Sequence, residues 1–298
     1  MKKTIQFILT NFILIIIIYT ISSLLNIRIR YFITLYMFFP MITVFIISFI
    51  NHSELISKWM FLNGLNKWYI IAWFLPLIIS IASILVSLLF PSVHFSPYMD
   101  GLKRFGIELK KNIKDISPYI PIINQVGKGL IFGIFPNSVF AIGEEIGWRG
   151  FLWNEIKNWG FWKSSLFIGL LWGIWHIPLV LDGYNYSSNT GIGSFMMIIF
   201  CILLTPVMNL IREKTNSVIG PAVFHGSLNA FANLPLIFTT GLNEIYVGIY
   251  GIAGFSILAI INFILFFYLK FSNKKTLIPH TFLCSMGGTI LILLKAII

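Results

Sequence analysis

Glu144 and Glu145 stand side by side in the run GEEIGWRG, within a stretch dominated by apolar residues, and Arg149 follows four positions later. A charge inside an apolar membrane helix costs at least about 2.5 kcal/mol at the helix centre, so three charges this close together need a purpose. On a helix, Glu145 and Arg149 stack on one face while Glu144 points about 100° away. An ion pair between Glu145 and Arg149 neutralises two of the charges and leaves Glu144 unaccounted for. Two adjacent carboxylates in a low-dielectric site repel and titrate apart unless a cation or metal stabilises both. Such a split pair is what acid/base chemistry uses.

Two further apolar runs carry polar groups of the same kind. His176 lies in FIGLLWGIWHIP, where Pro178 leaves the carbonyl of Ile174 without its usual helical donor, which favours a water-lined opening nearby. His225 and Asn229 lie in AVFHGSLNAFAN, four apart and so on one helix face, with the small residues Gly226, Ser227 and Ala230 permitting close approach of another helix. Taken singly, each has a structural explanation: a histidine donating to a neighbouring carbonyl, or a hydrogen bond between helices. Taken together, they are independent burial penalties on three helices, and convergence on one site explains them at once. Two arrangements are open. A divalent metal such as zinc could be held by Glu144, His176 and His225, or a metal-free water could be activated by a glutamate with a histidine partner. Either delivers a hydroxide-like nucleophile to a carbonyl, with a His or Asn donor for the oxyanion. Peptide hydrolysis is the natural reaction class. Other protease chemistries are absent: there is no His-Glu-x-x-His, Asp100 and Asp182 do not form a membrane-embedded pair, and Ser227 beside Gly226 is the only candidate serine nucleophile.

The elements that must position these groups are membrane helices. Of 298 residues, 57% are hydrophobic and 10% charged, against roughly 45–50% and about 25% in a soluble domain. That excludes a soluble globular protein and predicts a single all-α, polytopic membrane domain of about eight transmembrane helices around a buried polar cavity. The spans are placed at 5–25, 31–50, 68–90, 126–158, 161–181, 192–211, 218–238 and 246–271. The fourth is read as one long helix, part membrane and part interface. The first is kept as a true span, not a signal peptide, because no small-residue cleavage motif follows it. The polar stretch 91–125, with Lys103, Arg104, Lys110, Lys111 and Lys114 alongside Glu108 and Asp115, reads as an amphipathic surface element. The last stretch, 282–298, is apolar but interrupted by Gly287, Gly288 and Lys295, and is read as interfacial or half-inserted, with a ninth span as the alternative. In outline, 1–125 holds three spans and the interfacial segment, 126–240 the core helices with the motifs, and 241–298 a span and a tail.

The net charge of +11 comes from 21 Lys+Arg against 10 Asp+Glu. The cations sit in short clusters between apolar runs, which fits lipid headgroups and topology and not nucleic acid. Lys157 and Lys163, Arg212 and Lys214, and Lys270, Lys274 and Lys275 mark alternate ends, which the positive-inside rule makes cytoplasmic together with both termini. The Lys-rich stretch after the third span then falls outside, against the rule. Cys201 and Cys284 both sit in apolar surroundings, which excludes a disulfide framework.

In chain order, Glu-Glu-x-x-x-Arg (Glu144, Glu145, Arg149), an aromatic-x-x-x-His (Trp172, His176) and His-x-x-x-Asn (His225, Asn229) resemble the motifs of the CAAX protease and bacteriocin-processing family. This family, also called the abortive-infection family, includes the type II CAAX prenyl endopeptidases. The resemblance covers about 126–236. It implies an intramembrane endopeptidase in which Glu144 activates water with His176 sharing that role, and Glu145 is the supporting carboxylate. His225 and Asn229 then stabilise the oxyanion, and Arg149 fixes the glutamate helix. It also implies four core helices enclosing a conical cavity open toward cytoplasm and lipid. Members are described both as metalloproteases and as glutamate proteases, so the metal stays an open question here. One departure stands out: the strict second motif has Phe four before His, and Trp172 takes that place.

The Ile-, Asn- and Lys-rich composition resembles that of AT-rich bacterial genomes, which implies a bacterial plasma membrane and makes prenylated substrates unexpected. Maturation of a secreted pheromone or bacteriocin peptide, or self-immunity to one, is the role the resemblance implies, with lipid and a peptide as partners. Two rivals stand beside it. A non-catalytic scaffold or immunity protein of the same fold would not need all five polar residues, and a transporter using them as a proton relay would be expected to show an internal repeat, which is absent.

Overall fold

Backbone groups in lipid have no water to bond to and are satisfied within helices. In the computed structural model, which describes residues 2–51, 64–107 and 116–274, this is how the apolar runs fold. In chain order the helices are α1 (Lys2–Leu24), α2 (Ile33–Met37), α3 (Phe39–Ile50), α4 (Lys67–Ser87), α5 (Tyr119–Phe132), α6 (Ser138–Glu145), α7 (Trp153–Ile156), α8 (Phe161–Leu181), α9 (Thr190–Thr215), α10 (Ile219–Phe231), α11 (Leu234–Ile237) and α12 (Ile252–Lys274). Asparagines start two of the long ones: Asn66 accepts from the Trp68 amide at 2.9 Å and Asn189 from the Ile192 amide at 3.1 Å. The chain divides into two units, Met1–Ala259 and Ile260–Ile298. Every residue of the site described below belongs to the first.

Among the described residues, six helical runs are long and apolar enough to cross a membrane. The bent pair Ile29–Met37 and Phe39–Ile50, whose halves meet at 48°, raises the count to seven at most. The eight expected from the sequence are thus not all found among the described residues, and the missing one is 218–238. That run breaks after Phe231 into the 13-residue α10 and the short α11, with Pro235 at the restart. At about 1.5 Å per residue α10 is too short to span alone. It is an internal helix, with Phe224, His225, Ser227 and Phe231 all buried in protein.

The helix expected from 126 begins earlier, at Tyr119, and continues for 41 residues to Trp159. It has two irregularities. Phe135, at φ −142° and ψ 125°, interrupts it ahead of Pro136. The segment Ile146–Leu152 then widens into a π-helical turn directly after the paired glutamates. The stretch expected as a surface element contributes β1 (His94–Phe95), which pairs antiparallel with β2 (Thr239–Thr240), followed by the 3₁₀ turn Asp100–Phe105. Arg104 in that turn donates to the carbonyls of Leu236 and Thr239 and, at 2.7 Å, to that of Leu242. Burial lowers its pKa, against the opposing pull of Glu244. The charged residues Glu108, Lys110, Lys111, Lys114 and Asp115, the tail 282–298 and Cys284 lie outside the described residues.

The bundle has two chemically different ends. At one, Asn66 at the start of α4 bonds the carbonyl of Lys214 at the end of α9, and Lys157 and Lys163 flank the α7–α8 turn. At the other, Arg28 reaches Asp182 at 3.0 Å, and Ser188 donates its hydroxyl to Glu244 at 2.8 Å, close to the β1–β2 ladder. Lys103 and Arg104, in the 3₁₀ turn beside that ladder, lie at this second end. A groove beside Pro178, lined by Ser22, Arg28 and Asp182, opens there too, with a volume of about 340 Å³.

Glycines set the helix spacing around the core. A Cβ on Gly169 would lie 2.7 Å from Ile202 Cα, and one on Gly173 would lie 2.6 Å from Ile198 Cα, so α8 and α9 touch backbone to backbone along a Gly-x-x-x-Gly face. Gly143 and Gly147 flank the glutamate pair in the same way and admit Met37, Phe38 and Pro40.

Candidate active site

Glu144 and Glu145 close α6, and both are buried, at 2% and 0% exposure. Lying one residue apart, they face different surroundings. Glu145 Oε1 accepts from Arg149 Nη1 at 3.2 Å and from His225 Nδ1 at 2.8 Å. The i, i+4 pair read from the sequence is thus present, at the centre of the bundle and not at the headgroups. Arg149 is fully buried; its second amino group donates to Thr205 Oγ1 at 3.1 Å, and its backbone carbonyl accepts from Arg212 Nε at 3.0 Å. Glu145 Oε2 and Arg149 Nε have no hydrogen-bond partner.

Glu144 turns the other way, and its Oε2 accepts from the Trp172 indole N–H at 2.7 Å. It lines a cavity together with His176, His225 and Asn229, so helices α6, α8 and α10 bring four of the five predicted site residues to one space. Glu145 is not among the lining residues; it stands behind His225. In His176, Nδ1 donates to the Trp172 carbonyl at 2.8 Å, which leaves Nε2 for the cavity. In His225, Nδ1 is engaged with Glu145, and Nε2 is again the free ring nitrogen. Asn229 is exposed within the cavity. The cavity measures about 40 Å³, room for about three waters at roughly 10–15 Å³ each.

The remaining walls were not legible in the sequence. Phe200 and Cys201 come from α9, and Tyr184, Asn185 and Tyr250 from the loop after α8 and the approach to α12. Burial, and then the charge of Glu144, push the Tyr184 phenol up to about 12, so it stays protonated and able to donate at any physiological pH. These loop residues belong to the end that carries Asp182 and Glu244. The cavity therefore lies nearer this end of the bundle than the end with Lys157 and Lys214, since His176 sits close to the C-terminus of α8 and Asn229 close to that of α10; which end faces the cytoplasm is set by the membrane and not by the fold. Thr205 and Cys201 gave little sequence signal, since a hydroxyl or a thiol in an apolar helix costs too little to stand out.

Among the described residues, no three His, Cys, Asp or Glu side chains are grouped as a metal site requires.

Residues 126–231 match the family model described as Type II CAAX prenyl endopeptidase Rce1-like. Over this stretch the chain is similar to the Rce1-like family. The match starts within α5 and ends with α10, so it contains every residue of the Glu-Glu-x-x-x-Arg, Trp-x-x-x-His and His-x-x-x-Asn motifs. Over 97 residues the chain is also 29% identical to CAAX prenyl protease 2 of Methanococcus maripaludis. That stretch is 30% of this chain and 35% of the relative, so the chain spans about a third of the length of the curated relative it matches. The matched stretch carries Glu144, His176, His225 and Asn229, the four predicted site residues that line the cavity.

Proposed function

We propose that the matched core is an intramembrane endopeptidase that hydrolyses a peptide bond in a membrane-associated peptide. The observation that carries this reading is that Glu144, His176, His225 and Asn229, from three separate helices, line one buried cavity of water-holding size. Glu144 is the base: it takes a proton from a cavity water while His176, through Nε2, holds that water. The hydroxide attacks the scissile carbonyl carbon. Asn229 and His225 donate to the oxyanion; His225 does so from Nε2 with its ring protonated on both nitrogens and Glu145 balancing the charge. Glu144 then passes its proton to the leaving amine. No step is routed through a metal.

The relative's name points to prenylated CAAX substrates, whereas the bacterial composition of this chain favours a secreted peptide such as a pheromone or bacteriocin, undergoing maturation or being neutralised in self-immunity. The test is reconstitution in lipid vesicles with a set of internally quenched peptides that carry an apolar membrane segment. Cleavage by the wild type should fall at least about 10²-fold in Glu144→Ala and in His176→Ala, with membrane insertion unchanged. Undiminished cleavage in either variant overturns the mechanism, and retention of a cellular phenotype by Glu144→Ala would favour the scaffold role instead.

A further inference from the structure

One residue touches nearly every polar group of the site, and it departs from the strict form of the family motif. Trp172 lies one turn before His176 on α8 and is 2% exposed. Its indole N–H, the only polar atom of the side chain, donates to Glu144 Oε2 at 2.7 Å. Its backbone carbonyl receives the His176 Nδ1 proton at 2.8 Å. The Arg149 guanidinium stacks over its ring at 4.2 Å from the centroid, and the rings of His176 and His225 meet it edge-on at 5.4 and 5.5 Å. A phenylalanine could supply the stacking surface and the carbonyl. It could not supply the donor to Glu144.

We propose that Trp172 is the positioning residue that sets Glu144 for water activation. The inference rests on the reading of Glu144 as the base. Arg149 and His225 are engaged with Glu145, and among the described residues the hydrogen bond that holds the Glu144 carboxylate comes from Trp172. With Oε2 tethered to the indole, the carboxylate is held in one orientation at the cavity wall. Without the tether a buried glutamate with rotatable bonds samples several rotamers, and only a fraction align with the water. The same residue fixes the tautomer of His176 through its carbonyl, so base and partner are registered to one turn of α8. The glycine contacts at Gly169 and Gly173 lock that turn against α9.

The test replaces Trp172 with Phe, and separately with benzothienylalanine, which keeps the bicyclic shape and exchanges the N–H for sulfur. On the quenched peptide that the wild type cleaves fastest, both should lower kcat about 10- to 100-fold, as loss of one hydrogen bond to a charged group predicts, with KM within about twofold. Melting of the benzothienyl protein should match wild type. Wild-type kcat in either variant overturns the proposal. So does a loss seen with Phe but absent with the benzothienyl residue, which would assign the effect to ring size, and so does a loss that appears in KM or in melting alone. A second readout is independent of cleavage. In the ¹⁵N spectrum of the protein in nanodiscs, the Trp172 indole N–H signal, identified by its absence in Trp172→Phe, should shift in Glu144→Ala. An unshifted signal removes the contact, and with it the proposal, whether or not peptides are cleaved. Full cleavage by Glu144→Ala instead removes the base on which the proposal rests.

Discussion

At the scale of single residues, Glu144 meets one donor, the Trp172 indole, and a cavity, whereas Glu145 meets a guanidinium and an imidazole in a fully enclosed space. Isosteric amides separate the two environments. Glu144→Gln keeps a carbonyl for Trp172 to donate to and removes the base, so hydrolysis should be lost while the thermal midpoint in detergent stays at the wild-type value. Glu145→Gln leaves Arg149 buried without a counter-charge, and breaking a buried pair from one side costs about 3–5 kcal/mol. Its midpoint should drop sharply even before activity is measured. Equal midpoints for the two variants would show that Arg149 finds another partner. The sequence separated these roles only in part. The i, i+4 rule tied Glu145 to Arg149 and set Glu144 apart, because that rule depends on helix geometry alone. Nothing in the spacing tied His225 to Glu145 across 80 positions, since that contact comes from packing α10 against α6.

At the scale of helices, the site depends on how closely α8 approaches α9. Gly173 lies between Trp172 and the Trp175–His176 pair, and an added methyl would meet the Ile198 backbone, which cannot yield as a flexible side chain does. Gly173→Ala should therefore cost about 1–3 kcal/mol by overpacking and should lower kcat by displacing the turn that carries His176. Gly127→Ala is the matched control. It is also a helical glycine, with nothing within 4 Å of the added carbon, and alanine there should stabilise by up to about 1 kcal/mol. Thermal melting of both variants in one detergent checks the pair, and equal midpoints would show that α8 is not held by backbone contact. Most helices were legible from the sequence because hydropathy reports burial of any kind, in lipid or in protein. For the same reason it overstated α10. Residues facing protein and residues facing lipid are equally apolar, and composition alone does not show that the 218–238 run breaks after Phe231. The early start of α5 escaped for the opposite reason: its first turns, with Pro121 and Gln125, are too polar to register as a span.

At the scale of the whole chain, two readings of the sequence collide, and the structure shows where. The cation pattern assigns the end with Lys157 and Lys214 to the cytoplasm, while the family resemblance implied a cavity open to that side. The cavity is lined instead by Tyr184 and Asn185, in the loop whose first residue, Asp182, pairs with Arg28 at the opposite end. Of the cations at that opposite end, Arg28 and Arg30 are tied to Asp182 and Arg104 is bonded to three carbonyls. Lys103 in the same turn as Arg104 is exposed and counts against that bias. If the charge bias sets the orientation, the cavity faces away from the cytoplasm, and a peptide entering it is met on the exported side. Ser187 and Lys157 are both exposed and mark the two ends. With Cys284 replaced by Ser and Cys201 buried, Ser187→Cys should react with a membrane-impermeant maleimide in intact cells, and Lys157→Cys only after permeabilisation. The reverse pattern would place the cavity on the cytoplasmic side and show that the positive-inside rule fails for this chain. The substrate would then be sought among peptides that have not yet left the cell.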